Sequence, residues 1–336
     1  MFNNFTNFTF FIMLMLGTII SISSNSWLGA WMGLEINLLS FIPLLTNLKN
    51  LSSTESSLKY FIIQALASAT LLFVILLMSF FNNFYFEYNN YLNVILNSSL
   101  LMKMGAAPFH SWFPEVMEGL NWFMSFILMT WQKIAPMILI SYCMLYEYIY
   151  FIIMFSIFIG SIGGFNQTNL RSLMAYSSIN HLGWMLSSLM ISVSYWLVYF
   201  LFYSILSLSI IQMFYQMNIF FFKQIFSSYN NFPLIKFLLF CNFLSLGGLP
   251  PFTGFLPKWI IIQNLSITNP ALIFMMVMLT LITLFYYIRL AYSAFMMQST
   301  DLYWNNLWIS KFSKTSIVLN FFSLFGLIFI MMIYII

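Results

Sequence analysis

The chain has 336 residues, of which 62% are hydrophobic and only 5% are charged, and its formal net charge is +4. Soluble domains carry charges on about 25% of their residues, so this composition excludes a soluble globular protein of this size. Apolar runs of about 20 residues, the length that spans a bilayer, follow one another along the chain. We therefore predict an all-α polytopic membrane protein that forms a single membrane domain over residues 1–336.

About eleven apolar spans are predicted, and the loops between them are too short to hold a soluble domain. In chain order the spans cover residues 6–23, 27–47, 58–80, 91–108, 119–144, 148–165, 170–192, 195–222, 234–265, 271–297 and 315–336. An odd number of spans places the two termini on opposite faces of the membrane. The connecting segments in between are rich in Asn and Ser, as in residues 47–57, 82–93 and 227–231.

Basic residues are distributed unequally between the two faces of the membrane. The N-terminal side carries Lys49, Lys59, Arg171, Lys223, Lys236, Lys311 and Lys314. The opposite side offers Glu87 and Glu147. The positive-inside rule therefore predicts that the N-terminus faces the matrix or the cytoplasm.

One phrase, G-x-x-P-F-x-x-aromatic-apolar-P-charge, occurs at residues 105–115 and again at residues 248–258, and the two copies hold five of the nine prolines. Gly and Pro in an apolar span break the helix and free backbone groups that need polar surroundings. The copies lie in spans four and nine, so they cross the membrane in opposite directions. This predicts two inverted five-helix repeats with broken helices, residues 1–145 and 146–300, followed by a C-terminal span in 301–336. The alternative is that the two similar Gly- and Pro-containing segments occur by chance in a Phe-rich chain.

Four ionisable side chains fall inside predicted spans: Glu35, Lys103, Lys133 and Lys258. Each charge costs roughly 3 kcal/mol on insertion scales, so such residues are expected to face the protein interior and to act there. A Glu35 carboxylate that approaches or leaves Lys103 would load or unload a proton, which predicts a proton relay. Structural alternatives remain for three of them: satisfaction of carbonyls at a Pro136 kink by Lys133, an interhelical ion pair of Glu35, and a Lys258 that snorkels from a span end.

A histidine lies midway along the seventh span. Ser177, Ser178 and Ser188 share a helix face with this residue, His181. Histidine titrates near neutrality and would suit a relay, whereas a lone histidine is more often a packing residue, and the sequence favours neither reading. Of three further ionisable residues, His110 in the first break is interpreted as an interfacial residue, and Glu118 and Arg289 near span ends are interpreted as orientation or partner contacts.

No cofactor or metal site is predicted in this chain. Cys143 and Cys241 lie far apart in apolar segments without Cys or His neighbours, so neither a cluster nor a disulfide is expected. The sequence has no Gly-rich nucleotide loop and no H-x-x-x-H spacing. We also predict no nucleic-acid partner. The abundance of Phe, Met, Tyr and Asn favours a chain encoded in an AT-rich organelle genome.

Three segments resemble, in order, the signatures of the antiporter-like subunits of respiratory complex I. They are KMGAAPFHSWFP at 103–114, QTNLRSLMAYSSINHLG at 167–183 and LGGLPPFTGFLPK at 246–258. The short length and the segment SWLGAWMGLEIN at 26–37 resemble the mitochondrial form of animals, in an arthropod-like version. The resemblance covers nearly the whole chain and implies an antiporter-like fold. The long lateral helix of the most distal family member is absent, which argues against that subunit.

The resemblance also implies roles for single residues. The family's key glutamate would be Glu35 and its paired lysine at the broken helix Lys103. Its central lysine would be Lys133, the lysine of the second broken helix Lys258, and the histidine of its polar axis His181.

By the same resemblance, the chain would be a proton-pumping module of NADH:ubiquinone oxidoreductase in the mitochondrial inner membrane, with its N-terminus in the matrix and its C-terminus in the intermembrane space. It would hold no cofactor, since other subunits handle NADH, FMN, the iron–sulfur clusters and ubiquinone. Its partners would be membrane-arm neighbours such as subunits 4 and 4L, accessory subunits, and the lipid bilayer including cardiolipin. The alternatives are a stand-alone cation/proton antiporter of the related multi-subunit type, or a structural module that only bridges its neighbours.

Overall fold

The computed structural model describes residues 5–47, 50–81, 86–228, 233–296 and 314–335, and these segments are almost wholly helical. In chain order the helices are α1 (Phe5–Ser23), α2 (Trp27–Leu45), α3 (Leu51–Phe81), α4 (Phe86–Met104), α5 (Trp112–Gly119), α6 (Trp122–Met129), α7 (Trp131–Tyr142), α8 (Tyr146–Gly163), α9 (Leu170–Ile191), α10 (Val193–Met217), α11 (Phe222–Ser228), α12 (Pro233–Gly247), α13 (Phe255–Thr268), α14 (Pro270–Met296) and α15 (Lys314–Ile335). The predicted all-α fold class is confirmed.

Seven helical stretches of the described residues are long and apolar enough to cross a membrane. They are Phe5–Ser23, Trp27–Leu45, Leu51–Phe80, Trp122–Tyr142, Tyr146–Gly163, Val193–Met217 and Pro270–Tyr292. Large apolar side chains on their outer sides are exposed, for example Ile19, Phe73 and Leu201, as a lipid-facing surface requires. A multi-span membrane protein is therefore confirmed, whereas the number of eleven spans and the inverted relation of the two halves remain predictions.

The third helix is longer than the sequence predicted, because it begins at Leu51 rather than at residue 58. The Ser53 hydroxyl accounts for part of this extension, since it bonds to the backbone carbonyls of Asn47 and Asn50 at 3.0 and 2.8 Å. The next hydroxyl groups donate to carbonyls three residues earlier in the same helix. Ser and Thr are neutral to unfavourable inside helices, but a segment rich in them can remain helical when their hydroxyl groups are hydrogen-bonded to the helix itself.

The predicted fifth span is also divided into two helices, α6 and α7, which meet at Thr130. Both the backbone N–H and the hydroxyl of Thr130 donate to the carbonyl of Phe126, at 3.0 and 2.7 Å. Further along α7, Pro136 has no N–H to donate to the preceding turn. Lys133 therefore lies in the first turn of a helix that begins in the protein interior.

The chain divides into two compact units, Met1–Ser156 and Ile157–Ile336. In the first unit α1 packs along α2, and α3 packs against α4 and α5. In the second unit α10 packs against α9, α12 and α15, and α14 packs against α12 and α13. Residues of α8 belong to both units, and the repeat boundary at 145/146 remains a prediction.

The backbones of α1 and α2 approach each other closely in the first unit. A Cβ atom on Gly33 would lie 2.5 Å from the backbone nitrogen of Ser21 and 2.8 Å from the carbonyl oxygen of Gly17. A Cβ atom on Gly17 would lie 2.8 Å from the backbone nitrogen of Asn37. Small residues that let helices touch in this way are a main source of helix association in membranes. This contact sets the position of α2, which carries Glu35.

We expect the substitution Gly33→Ala to destabilise the protein, since the added methyl group forces α1 away from α2 at an overpacking cost of about 1–3 kcal/mol. The thermal aggregation midpoint of the detergent-extracted protein measures this effect. Gly247→Ala is the matched control, because its Cβ atom would meet no neighbour closer than 3.5 Å. Equal midpoints for the two variants would contradict the close packing of α1 and α2.

Candidate functional site

Both copies of the repeated phrase interrupt a helix. The first break, residues 105–111, separates α4 from α5, and the second break, residues 248–254, separates α12 from α13. Each break starts with a glycine in the left-handed region, Gly105 at φ 72° and Gly248 at φ 81°. Glycine adopts this conformation without strain and is the residue that commonly ends a helix. A cis peptide bond precedes the proline that lies three residues after each glycine, so the two breaks correspond in their backbone.

Lys258 fills the second break. Its side chain is 6% exposed, and its Nζ donates to the carbonyl oxygens of Gly247 at 2.9 Å and Leu246 at 3.3 Å. These carbonyls belong to the last turn of α12, where a helix has no backbone donors left for them. The Nζ also lies 5.6 Å from the ring centre of Trp184. Lys258 therefore caps the helix that precedes it in the chain. A side chain buried on these carbonyls does not extend towards the membrane surface, which argues against the alternative that Lys258 snorkels from a span end.

Lys103 lies just before the first break, on the wall of a small polar cavity in the first unit. The cavity is lined by Leu34, Asn37, Leu38, Tyr60, Gln64, Lys103, Gln132 and Pro136. The Lys103 side chain is 7% exposed, and its backbone carbonyl accepts a hydrogen bond from Gln64 Nε2 at 3.2 Å. Gln132 Nε2 donates to Asn37 Oδ1 at 2.9 Å. Four helices thus direct amide, phenol and amine groups into one cavity.

Glu35 is half-buried on α2, the helix that also supplies Asn37 to this cavity. Its carboxylate interacts electrostatically with Lys103. Within the described residues no ion pair closer than 4 Å joins Glu35 to Lys103, so the two interact without forming a salt bridge. An interhelical ion pair of Glu35 that holds the bundle together, the structural alternative, is therefore not formed with Lys103.

Lys133 is the most deeply buried of the three lysines, with 1% of its surface exposed. Its Nζ lies 5.5 Å from the ring centre of Phe113, within the range of a cation–π interaction. Phe113 follows the first break and packs so closely on Gly105 that a Cβ atom there would lie 3.0 Å from it. Lys133 of α7 and Lys103 of α4 therefore both lie beside the first break.

His181 lies in the second unit, in a cavity that reaches the second break. Its Nδ1 is 2.8 Å from the Tyr199 hydroxyl, and its ring centre is 5.0 Å from that of Tyr203. The cavity is lined by His181, Tyr199, Tyr203, Leu206, Leu246, Gly254 and Pro257. The sequence analysis did not identify Tyr199 or Tyr203, because a tyrosine in an aromatic-rich span gives no signal of its partner.

The serine stripe beside His181 is buried, and each of its hydroxyls bonds to its own helix. Ser177, Ser178 and Ser188 donate to the carbonyl three residues earlier, at 2.6 to 2.7 Å. Serine hydroxyls commonly satisfy themselves in this way inside helices. One polar partner of His181 comes from α10, through Tyr199.

The structure brings the predicted residues together in two groups. Glu35, Lys103 and Lys133 surround the first break in the first unit, and His181 and Lys258 lie at the second break in the second unit. The three residues outside the predicted relay lie nearer the surface: His110 is half-buried with its Nδ1 3.2 Å from the Pro108 carbonyl, and Glu118 and Arg289 are exposed.

One ion pair that the sequence did not predict joins Lys59 of α3 to Glu115 of α5 at 2.6 Å, with about half of each side chain exposed. This pair places the acidic residue that follows the first break beside a basic residue of the predicted positive face. Within the described residues, no group of three His, Cys, Asp or Glu side chains could hold a metal ion.

The fold has clear counterparts among solved structures. A chain in the structure titled "Respiratory complex I from Thermus thermophilus with bound Aureothin" superposes with a TM-score of 0.83 at 21% identity, over 96% of this chain and 79% of that chain. A chain of the Mrp complex from Dietzia superposes with a TM-score of 0.70 at 15% identity, over 85% of this chain and 59% of that chain. At these identities the likeness shows a shared fold.

The sequence comparisons are more specific. The family described as NADH:quinone oxidoreductase/Mrp antiporter, transmembrane, matches residues 24–283. NADH-ubiquinone oxidoreductase chain 2 of Anopheles gambiae is 56% identical over 336 residues, which cover 98% of both chains. The chain of the same name from Mus musculus is 43% identical over 286 residues, or 83% of both chains. This chain therefore belongs to the NADH:quinone oxidoreductase/Mrp antiporter family and, within it, to the NADH-ubiquinone oxidoreductase chain 2 family.

Proposed function

We propose that this chain is a membrane-arm subunit of proton-translocating NADH:ubiquinone oxidoreductase, respiratory complex I, and that it moves protons through Glu35, Lys103, Lys133, His181 and Lys258. One observation carries the proposal: the three lysines are between 1% and 7% exposed in a chain of membrane-spanning helices. Each buried charge costs roughly 3 kcal/mol on insertion scales. Such a cost in a protein of this family is consistent with groups that change their protonation state during turnover.

Within the first group, which consists of Glu35, Lys103 and Lys133, the first two residues would work as a switch. Glu35 interacts with Lys103 across a gap wider than a salt bridge, so a movement of α2 in either direction changes the strength of this interaction. A closer carboxylate favours the protonated lysine, and a withdrawn one favours release of the proton. The amide groups from α2, α3 and α7 that line the polar cavity at Lys103 do not take up a proton themselves, but they would hydrogen-bond a water molecule that takes the proton onward.

The second group would complete the transfer. A proton passes from Lys133 onward to Lys258, where the ammonium group is held by the Gly247 and Leu246 carbonyls. His181, with Tyr199 on its Nδ1, lies in the cavity that reaches the second break and would relay protons there. Histidine suits this step because its two forms are close in free energy near neutral pH.

The remaining parts of the proposal concern the setting of the chain. We place it in the mitochondrial inner membrane with its N-terminus in the matrix and its C-terminus in the intermembrane space. It would have eleven spans, with inverted repeats over 1–145 and 146–300. NADH oxidation and quinone reduction, with FMN, the iron–sulfur clusters and ubiquinone, take place in other subunits. Subunits 4 and 4L would be its membrane-arm neighbours, beside accessory subunits and lipids such as cardiolipin.

A stand-alone cation/proton antiporter shares the broken helices and is the second candidate. Its support is the fold likeness to a chain of the Mrp complex, at 15% identity over 59% of that chain. The full-length relatives at 56% and 57% identity are both named NADH-ubiquinone oxidoreductase chain 2. The complex I assignment is therefore the better supported of the two, and co-purification with a redox complex tests it.

We expect Lys133→Met in the assembled complex to abolish or sharply reduce proton pumping, because methionine keeps the length of the side chain but cannot carry a proton. The measurement is the number of protons moved per NADH oxidised in inner-membrane vesicles. The matched control is Lys223→Met, which neutralises an exposed lysine of α11. Wild-type stoichiometry at normal turnover in Lys133→Met would refute the role of Lys133 and leave the structural-module alternative.

Glu35→Gln tests the switch separately, since glutamine fills the same space without a charge. Loss of a group that assists proton transfer typically costs at least about a hundredfold in the step that it assists, so pumping-linked turnover should fall sharply. Glu118→Gln removes a carboxylate from the surface and should keep the wild-type rate. Rates should be divided by the amount of assembled complex. An unchanged rate in Glu35→Gln would show that the electrostatic link to Lys103 is not used.

A further inference from the structure

The C-terminal helix α15 is hydrogen-bonded to α12 just before the second break. Asn242 Nδ2 donates to Asn320 Oδ1 at 2.6 Å, and the Ser323 hydroxyl donates to Asn242 Oδ1. All three side chains are at most 2% exposed. Both polar atoms of the Asn242 carboxamide are thus bonded to α15, in a part of the protein where water does not reach them.

The same helix also binds the second break itself. The Thr253 hydroxyl donates to the backbone carbonyl of Ser323 at 2.8 Å, and the Thr253 backbone N–H approaches the same oxygen at 3.4 Å. The contact is tight, because a Cβ atom on Gly326 would lie 2.6 Å from Thr253 Cγ2. Ser323 therefore bonds to both sides of the break, with its side chain to α12 and with its carbonyl group to the segment that leads into α13.

These bonds enclose the site of Lys258. Asn242 lies about one helical turn before the carbonyls of Leu246 and Gly247 that hold the lysine. Thr253 lies in the segment that leads directly to Lys258. Because α15 bonds to both Asn242 and Thr253, it fixes the distance between the end of α12 and the Lys258 side chain. Without these bonds, α12 and α13 are joined only by the short segment that starts at the left-handed Gly248.

The first break is held by a similar arrangement. There α3 provides both contacts, since Gln64 donates to the carbonyl of Lys103 before the break, and Lys59 pairs with Glu115 after it. Each broken helix is therefore bonded on both sides by one unbroken helix. At the second break this helix is α15, which lies outside both predicted repeats and has no role in the relay.

We propose that α15 is a strap that holds the second break in the conformation in which Lys258 lies on the carbonyls of α12. In this role Asn242, Thr253, Asn320 and Ser323 are positioning residues for proton transfer at Lys258. The strap rests on the proposed function, since it assumes that Lys258 carries protons. One buried hydrogen bond of this kind is worth about 1 kcal/mol, so its loss changes a conformational equilibrium about fivefold.

The test uses Thr253→Val in the assembled complex, a change that removes the hydroxyl and keeps the branched shape. Hydrogen–deuterium exchange of the backbone amides in residues 248–256 should become about fivefold faster, and the number of protons moved per NADH should fall. Thr253→Ser keeps the hydroxyl and should restore both values towards the wild type. The matched control is Thr283→Val, since Thr283 is buried on α14 and donates to Thr280 of its own helix at 2.8 Å.

Unchanged exchange at the break in Thr253→Val would overturn the strap. Faster exchange with wild-type pumping would overturn the positioning role. If Thr253→Val lowers the amount of assembled complex, Ser323→Ala gives the same comparison from the other side, because it breaks the bond to Asn242 and keeps the carbonyl group. Full pumping in Lys258→Met would refute the relay and the positioning role together, and exchange at the break would still test whether α15 holds it.

Discussion

A helix that ends inside an apolar protein leaves backbone carbonyls that water cannot reach, and something else must bond to them. At the second break that group is the ammonium of Lys258, which donates to the carbonyls of Gly247 and Leu246. The fold therefore needs a donor at the place where the proposed relay needs a proton carrier. One side chain meets both needs, so a change in its protonation state also changes the bonds that hold the end of α12.

The two breaks have corresponding backbones but different charges. Glu115 occupies the position in the first phrase that Lys258 occupies in the second. Glu115 is exposed and pairs with Lys59 of α3, whereas Lys258 is buried on backbone carbonyls. The buried cations near the first break come instead from Lys103, before the break, and Lys133, on α7. The same backbone pattern therefore supports a different arrangement of charges at each break. Such an asymmetry suits a proton relay that works in one direction.

The sequence predicted the parts of the site that depend on local chemistry. Gly and Pro in an apolar run predict a break wherever the chain folds, and a lysine inside a span predicts a buried charge. Contacts between spans could not be predicted, because a polar side chain does not reveal whether it bonds to its own helix or to another. Ser323, for example, bonds to a carbonyl of its own helix and also to Asn242 on α12. The break at Thr130 was missed for a similar reason, since threonine is common within helices.

The contacts that hold the two breaks differ in how easily they can be released. At the first break the outer contact is an exposed ion pair, and such pairs contribute little where water and salt screen them. At the second break the contacts are amides and hydroxyls at most 2% exposed, which cannot exchange with water when they separate. The outer contact of the first break therefore separates at lower cost than the contacts of the second break. In the proposed switch the separation of Glu35 and Lys103 changes, and Lys103 lies beside the break whose outer contact separates more easily, whereas α15 would hold Lys258 in a fixed geometry.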